Sequence, residues 1–409
     1  MNLRTPRIKA AAVTIAAAGL LVTAGAAAAS ADQDAQDTPD SSQEVTEPTM
    51  LKAGEIVDAD FAVSYADSDG TQVVSDPGAT YIKVRFASLD LAPGDYVTVS
   101  NPDGTEEYTY HGAPGDGLVD GDSGYTVHDD GLFAAMSIEG DTAEVTLHGE
   151  SDSADASGVT VDAYWRGYDS KQFADANADI LSVCGNDARR DVVCYNDETH
   201  AAEFSASAAV ARQLKDGSGW CTAWRVGNTN RMLTNNHCVS TQADLATVES
   251  QFGYECATCD GNDPQDGVKV GSDQLVVTNP DNDFSLYSVQ NFEEIEQFGT
   301  LYIEEREPNQ DERIYIPGHG DAAPKRLSIY TEEDGGEQCK IDTPQNGDVT
   351  TGYACDTSGG NSGSPVISGD TNKVLAIHAL GGCPDGINSG YRMSLIYPQI
   401  ADEIDNTEQ

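Results

Sequence analysis

The residues best suited to chemistry lie in the glycine-rich segment Gly359-Gly360-Asn361-Ser362-Gly363. A serine hydroxyl is a poor nucleophile unless a base removes its proton and amide N–H groups bind the developing oxyanion. The glycines before Ser362 allow the backbone to turn so that the N–H groups of Gly360 and Ser362 point at one oxygen. Gly363 would leave space beside the hydroxyl for a substrate. The segment predicts a nucleophilic serine, although a glycine-rich turn without chemistry has the same composition.

A base for this serine is predicted at His237, in the stretch Leu233-Thr234-Asn235-Asn236-His237-Cys238. The chain has seven histidines, and of these only His237 ends an apolar strand and is followed directly by a cysteine. Cys221 lies a short distance upstream of Cys238. A Cys221–Cys238 bridge would close a hairpin and fix the loop that carries the base.

An acidic partner for His237 is predicted at Asp283, in the stretch Asn282-Asp283-Phe284-Ser285-Leu286. An aspartate that opens a strand can be half buried, accept the imidazole N–H and fix its tautomer. Asp281 is the nearest competitor, and the apolar Phe284 directly after Asp283 favours Asp283. An acidic turn residue before a strand is the alternative interpretation.

The motifs His-Cys, Asp-Phe-Ser-Leu and Gly-Asn-Ser-Gly-Ser-Pro follow one another in this order, and on them the chain resembles the trypsin-like serine peptidases. It resembles in particular the bacterial secreted branch that contains lysyl and glutamyl endopeptidases, because the segment from Cys184 to Tyr195 is similar to the start of a mature lysyl endopeptidase. The loop from His319 to Ser328 also resembles this branch. The resemblance covers about 183 to 400 and implies a chymotrypsin-like double β-barrel that hydrolyses peptide bonds through an acyl-enzyme on Ser362.

The nine cysteines all lie between Cys184 and Cys383. In an exported chain this indicates a disulfide-bonded domain preceded by a cysteine-free one, with at least one thiol unpaired. Cys256-x-x-Cys259 lacks a second Cys/His pair at zinc-binding spacing, so we expect no metal. The family resemblance implies two further pairings: Cys184 with Cys383, and Cys194 with Cys256 or Cys259. Cys339 and Cys355 then remain as a reasonable pair.

The specificity pocket is expected to involve Asp356, Thr357 and His378. Asp356 stands where trypsins place the carboxylate that receives Lys or Arg, so an Asp356 that faces the pocket would favour cleavage after basic residues. Thr357 and His378 resemble the pair that reads Glu in glutamyl endopeptidases, although lysyl endopeptidases carry a similar His. The pocket Asp of lysyl endopeptidases falls near Asn388, which is not acidic here. Basic residues are slightly favoured, and Glu is the alternative.

Asn361 stands where animal trypsins have the aspartate that binds a freed N-terminal amine on activation. An amide cannot form the same ion pair, so the resemblance argues against activation by that contact. An N-terminal region that restrains the enzyme would act by blocking the site or by assisting folding.

The first 31 residues have the pattern of a signal peptide. Arg4, Arg7 and Lys9 are followed by an uncharged apolar run, and Ala29-Ser30-Ala31 fits the small-residue cleavage rule. We therefore expect a secreted, extracellular protein. No basic stop-transfer cluster follows the apolar run, which disfavours a membrane anchor.

The rest of the chain divides by composition into four parts. Residues 32–52 form an acidic disordered linker. Residues 53–168 carry alternating strands such as Tyr81–Phe86 and Val159–Trp165, typical of a small β-sandwich that loosely resembles a CUB domain. This domain is either the propeptide of a zymogen or an accessory binding module. Residues 169–182 form a second linker, and 183–409 form the peptidase domain, all-β with a helix at Leu395–Ile404.

The charge balance limits the partners of the protein. With 22 basic and 69 acidic residues, the net charge of −47 excludes nucleic acid and anionic membrane surfaces. We expect protein or peptide substrates, no cofactor and a monomer. The alternative from another class is a catalytically silent peptidase fold that acts as a binding or inhibitory protein. That alternative predicts a missing catalytic residue, whereas all three candidates are present.

Overall fold

The computed structural model describes residues 50–66, 70–112, 121–128, 131–149, 156–178, 181–332, 336–383 and 386–408. The predicted signal peptide and residues 32–49 of the predicted linker lie outside this part of the chain. The described residues, from Met50 onward, pack as one unit.

Ten strands form the predicted sandwich. They are β1 Gly54–Val63, β2 Thr71–Ser75, β3 Tyr81–Asp90, β4 Tyr96–Ser100, β5 Glu107–Tyr110, β6 Tyr125–Val127, β7 Phe133–Ala135, β8 Ile138–Glu139, β9 Thr142–His148 and β10 Gly158–Gly167. One sheet has the order β1-β10-β3-β7-β6 with β8 beside β3, and the other has the order β2-β9-β4-β5.

The sandwich core follows from the alternation of apolar residues along its strands. In β10 every second residue from Val159 to Trp165 is buried and the residues between them are partly exposed. Val84 of β3 packs with Val97 of β4 and Val145 of β9, which joins the two sheets. Burial of apolar side chains from both sheets therefore holds the sandwich together.

The peptidase part contains sixteen further strands. They are β11 Leu181–Ser182, β12 Arg190–Asp191, β13 Val210–Lys215, β14 Ser218–Arg225, β15 Met232–Thr234, β16 Val248–Phe252, β17 Val268–Asn279, β18 Phe284–Val289, β19 Ile314–Gly318, β20 Arg326–Ser328, β21 Ile341–Asn346, β22 Thr350–Tyr353, β23 Thr357–Ser358, β24 Pro365–Ser368, β25 Val374–Leu380 and β26 Asn388–Arg392.

These strands form two barrels. The first is closed in the order β13-β14-β15-β18-β17-β16. The second runs β19-β24-β25-β26-β22-β21, and a bridge between Arg313 and Lys340 brings β21 back to β19. The prediction of an all-β, chymotrypsin-like double barrel preceded by a sandwich is confirmed.

Four helices complete the described fold: α1 Ser170–Ala176, α2 Ala201–Ser207, α3 Gln242–Ala246 and α4 Met393–Ile400. Helix α1 lies within the predicted linker 169–182, and Asp169 caps its first turn in a capping box. Helix α4 buries Met393, Ile396 and Ile400 in the peptidase core. The predicted C-terminal helix is thus present, although it begins before Leu395 and ends before Ile404. Across the described ranges, helices are too short or too polar to cross a membrane.

Three disulfides join Cys184 to Cys383, Cys194 to Cys259 and Cys221 to Cys238. The open choice for Cys194 therefore falls on Cys259. The predicted Cys339–Cys355 bond is wrong, because both residues are buried free thiols, as is Cys256. Cys339 and Cys355 contact each other in an apolar cluster, where reduced cysteines behave as small hydrophobic residues.

A buried set of charges joins the sandwich to the first barrel. Lys83 of β3 pairs with Glu249 of β16, and both side chains are 0% exposed. A second pair has its cation on the barrel and its carboxylate on the sandwich: Nζ of Lys269 lies 2.7 Å from Oε1 of Glu106. Ser137 of the sandwich donates its hydroxyl to Glu249 at 2.7 Å. Each domain thus neutralises charges that the other buries.

Lys83→Met tests whether this boundary is tightly packed. The substitution removes the ion-pair partner of the buried Glu249 and leaves it only the hydrogen bonds from Ser137 and the more distant charge of Lys269, so we expect the free energy of unfolding to fall by about 3–5 kcal/mol. Urea unfolding measures it. Lys171→Met is the matched control, because Lys171 pairs with Asp175 while 84% exposed, and its unfolding midpoint should stay within error. Equal midpoints for the two variants would contradict a packed boundary.

Candidate active site

The register of the first barrel places His237 beside Asp283. Thr234 at the end of β15 is opposite Ser285 at the start of β18, so the loops that follow β15 and precede β18 meet. Oδ2 of Asp283 lies 2.7 Å from Nδ1 of His237, and Oδ1 accepts the His237 backbone N–H at 2.9 Å. Both carboxylate oxygens therefore hold the histidine. A hydrogen bond from Nδ1–H to Asp283 leaves Nε2 free to accept a proton.

Two further features fix this pair. Asp283 is buried and has a positive φ of 43°, and the side-chain amide of Asn235 donates to its carbonyl at 2.8 Å. The Cys221–Cys238 bridge anchors the next residue after His237, as predicted. The competitor Asp281 lies exposed in the turn, where its N–H donates to Oδ1 of Asn279.

The loop that carries Ser362 is held by its carbonyl groups. The N–H of Thr222 donates to the Ser362 carbonyl at 2.8 Å, and the Thr222 hydroxyl donates to the Gly360 carbonyl at 2.9 Å. The N–H of Asp321 donates to the Gly359 carbonyl at 2.7 Å. Among the residues described, none accepts a hydrogen bond from the N–H groups of Gly360 and Ser362. The oxyanion-binding role of these two N–H groups stays a prediction.

Gly363 has a different role from the one expected. It has a φ of 90°, and a Cβ at this position would lie 2.0 Å from the carbonyl oxygen of Thr222. The space beside Ser362 is therefore filled by the strand β14 of the other barrel and not reserved for a substrate. Only glycine allows the two barrels to approach this closely.

The backbone of Ser362 lies close to the residue that follows His237. The Ser362 carbonyl lies 4.0 Å from Sγ of Cys238, the residue directly after His237. Nε2 of His237 is buried and has no hydrogen-bond partner within the described ranges, Ser362 included. In substrate-free enzymes such catalytic hydrogen bonds are often long and tighten only in the complex.

Asp356 is fully buried, and its carboxylate is already occupied. Its two oxygens accept the backbone N–H groups of Cys184 at 2.8 Å and Ala188 at 2.7 Å. Burial raises the pKa of Asp356, and these two hydrogen bonds counteract part of the rise. Because Asp356 is 0% exposed, a basic substrate side chain would have to reach a buried carboxylate that already accepts two backbone N–H groups.

His378, on β25 of the second barrel, and Thr357, on β23 beside β11, are both buried. Nδ1 of His378 lies 2.7 Å from the Tyr353 hydroxyl. Burial lowers the pKa of His378 to about 3, and the nearby His237 acts in the same direction. His378 is therefore an uncharged imidazole near neutral pH. Asn388, near the lysyl endopeptidase pocket position, accepts the N–H of Gly382 at 2.9 Å and so has a structural use.

Two groups of candidate metal ligands occur in the described part of the chain. One contains Cys221, His237 and Cys238, and the other contains Cys194, Cys259 and Asp260. In each group the two sulfur atoms are joined in a disulfide, so they cannot bind a metal as thiolates.

Sequence reasoning missed two residues that support the site. Thr222 links the barrels through the contacts above, and its only signal was a polar side chain in a buried strand. The buried Arg189 binds Ser358 and Asn361 beneath the Ser362 loop. The only sign of this role in the sequence was that Arg189 lies in the Cys184–Tyr195 segment, which resembles the start of a mature lysyl endopeptidase.

Comparison with known proteins finds a matching family model. Residues 217–377 match the family model of the trypsin-like peptidase domain. This part of the chain is therefore similar to a trypsin-like peptidase domain. The chain is also 29% identical over 328 residues to Secreted RxLR effector protein 73 of Plasmopara viticola, covering 77% of this chain and 78% of that protein.

Similar solved structures include serine endopeptidases. A Glu endopeptidase in complex with MPD has 18% identity and a TM-score of 0.40, and the match covers 54% of this chain and 97% of that one. A serine endoprotease from Yersinia pestis has 14% identity and a TM-score of 0.38, with 50% of this chain and 66% of that chain covered.

Proposed function

We propose that the protein is a secreted serine endopeptidase that acts through an acyl-enzyme on Ser362. The observation that carries this proposal is that His237, held by Asp283, lies near a serine loop in which the N–H groups of Gly360 and Ser362 have no acceptor among the described residues. The disulfides and the secreted relative support an extracellular location.

In the proposed reaction His237 takes the proton of the Ser362 hydroxyl at Nε2 while the serine oxygen attacks the substrate carbonyl. The carbonyl oxygen becomes an oxyanion that the N–H groups of Gly360 and Ser362 bind. Asp283 stabilises the imidazolium, which then donates its proton to the leaving amine as the peptide bond breaks. Water hydrolyses the resulting ester by the same steps, and Ser362 and His237 regain their starting states.

For the specificity pocket we propose a preference for Glu over Lys and Arg. A basic side chain would find the Asp356 oxygens occupied by the N–H groups of Cys184 and Ala188. If the Tyr353 hydroxyl donates to Nδ1 of His378, the histidine proton lies on Nε2 and can be donated to a substrate carboxylate. This proposal is the opposite of the preference for basic residues that the sequence slightly favours.

We also propose that the sandwich remains attached to the active enzyme. The buried Lys83–Glu249 and Lys269–Glu106 pairs would lose their partners if it were removed. In addition, Leu181 and Ser182 form a strand with β23, directly before the Ser362 loop. A chain that began at Cys184 would lack this strand.

A fluorophosphonate probe tests the proposed nucleophile. We expect the wild-type protein to be labelled at Ser362 and to digest casein, and Ser362→Ala to lose labelling and about 10⁴- to 10⁶-fold in turnover. Mass spectrometry of the labelled peptide identifies the residue. Labelling that persists in Ser362→Ala would refute the assignment, and a wild-type protein that neither reacts nor digests would favour the silent binding protein.

Matched peptides that differ only at the residue before the cleaved bond test the pocket. We expect kcat/KM to be at least about tenfold higher for Glu than for Lys, since one charged hydrogen bond contributes about 1.5–3 kcal/mol. The Gln peptide is the control, because it has the shape of Glu without the charge. His378→Gln should narrow the gap between Glu and Gln. Faster cleavage after Lys would overturn the preference.

The N-terminus of the active, secreted protein shows whether the sandwich is retained. We expect N-terminal sequencing and intact mass to place the start before Gly54, with Ser362→Ala giving the same start. An active protein that begins between residues 179 and 184 would identify the sandwich as a propeptide.

A further inference from the structure

A buried arginine lies beneath the loop that carries the nucleophile. The Arg189 side chain is only 4% exposed. Its Nη1 donates to the Ser358 hydroxyl and, at 3.3 Å, to Oδ1 of Asn361. Through these contacts one guanidinium holds both ends of the segment Ser358–Asn361.

The same arginine is connected to the loop by a second route. Its Nη2 lies 3.1 Å from Oδ2 of Asp321, and the N–H of Asp321 holds the Gly359 carbonyl at 2.7 Å. Asp321 adopts a positive φ of 60°, an unfavourable backbone conformation for a non-glycine residue. Asp321 must keep this conformation to bind the guanidinium with its carboxylate and the Gly359 carbonyl with its N–H.

The segment around Arg189 is itself anchored at several points. Asp356 binds the N–H groups of Cys184 and Ala188, and the Cys184–Cys383 disulfide ties the start of the segment to the second barrel. Asp187 binds the guanidinium at 2.7 Å. The arginine is thus presented to the loop from a fixed support.

We propose that Arg189 is the positioning residue that keeps the oxyanion-binding loop, residues 358–362, in its active conformation without a newly released N-terminal amine. The inference rests on the proposed function, because a loop that binds no oxyanion needs no such conformation. It also explains why Asn361 can replace an aspartate. The cation is internal to the chain and its charge is balanced by Asp187 and Asp321, so the loop residue needs only a neutral acceptor.

Two neighbouring carboxylates keep the Arg189 guanidinium protonated. Burial lowers the pKa of Arg189, but the carboxylates of Asp187 and Asp321 outweigh burial and raise it. Arg326 approaches Asp187 at 3.6 Å from β20, and Asp356 also lies close enough to feel the guanidinium charge. A group of this kind stays charged at any pH at which the protein is folded, unlike an amine.

Arg189→Met is the first test, with Arg190→Met as the matched control. Arg190 is the next residue, is 40% exposed and pairs with Asp260 away from the loop. We expect kcat of Arg189→Met to fall about 100- to 1,000-fold, as for loss of an oxyanion donor, with KM nearly unchanged. Fluorophosphonate labelling should slow in parallel, while Arg190→Met keeps wild-type rates. Near-UV circular dichroism corrects for the folded fraction.

Arg189→Lys separates positioning from a purely structural role. A lysine keeps the positive charge but has a single nitrogen that cannot reach Ser358, Asn361 and Asp321 together, so it should restore only part of the kcat lost in Arg189→Met. Arg190→Lys should keep the wild-type kcat. A kcat of Arg189→Lys no higher than that of Arg189→Met, with both variants folded, would overturn the inference.

Hydrogen exchange gives a readout that does not depend on activity. Amides in a peptide spanning residues 357–364 should exchange faster in Arg189→Met than in the wild type or Arg190→Met, with Ser362→Ala unchanged. Unchanged exchange together with unchanged kcat overturns the role of Arg189. A wild-type protein without any hydrolysis or labelling refutes the proposed function instead, whatever the exchange shows.

Discussion

The backbone hydrogen bond from Thr222 to Ser362 is the contact on which the proposed site depends, because the proposed nucleophile and its proposed base belong to different barrels. His237 and Asp283 are positioned by β15 and β18 of the first barrel, whereas Ser362 precedes β24 of the second. Thr222 of β14 bonds the Ser362 loop through both its N–H and its hydroxyl. Since a displacement of about 1 Å can cost about 100-fold in rate, a direct backbone contact is an effective way to set the distance.

The sandwich supports the same site from the other side of the first barrel. Its charges pair with Glu249 and Lys269, on strands β16 and β17. The segment that enters the sandwich also reaches the Ser362 loop: Leu51 is buried, and a Cβ on Gly360 would lie 2.9 Å from its Cδ1. The loop is therefore packed between Leu51 and the backbone around His319. Position 360 therefore requires glycine for two reasons: its φ is positive, and a side chain would collide with Leu51 and the His319 carbonyl.

The sequence indicates candidate residues that have local signals, whereas residues defined by distant contacts escape it. His237 and Ser362 carry recognisable neighbours and the order of motifs points to Asp283, and the catalytic roles of all three stay predictions. Asp356 was misread because the groups that occupy its oxygens lie 172 and 168 residues away. Lys83 alternates with apolar residues in β3 as a solvent-facing residue would, yet a second domain covers it. The predicted Cys339–Cys355 bond was wrong for a different reason: two cysteines can lie together in an apolar cluster without forming a disulfide.

Seven of the 22 basic residues of this acidic chain are buried within its described part. They are Lys83, Lys269, Lys325, Arg189, Arg212, Arg225 and Arg392. A buried cation paired with a buried carboxylate cancels one charge of each sign, so these pairs do not reduce the acidic excess behind the net charge of −47. The long-range field of this excess attracts peptides that are basic overall, whereas the proposed pocket would read one side chain at contact distance. Salt screens the first effect over about 8–10 Å and leaves the second nearly intact, so approach and specificity can select for opposite charges.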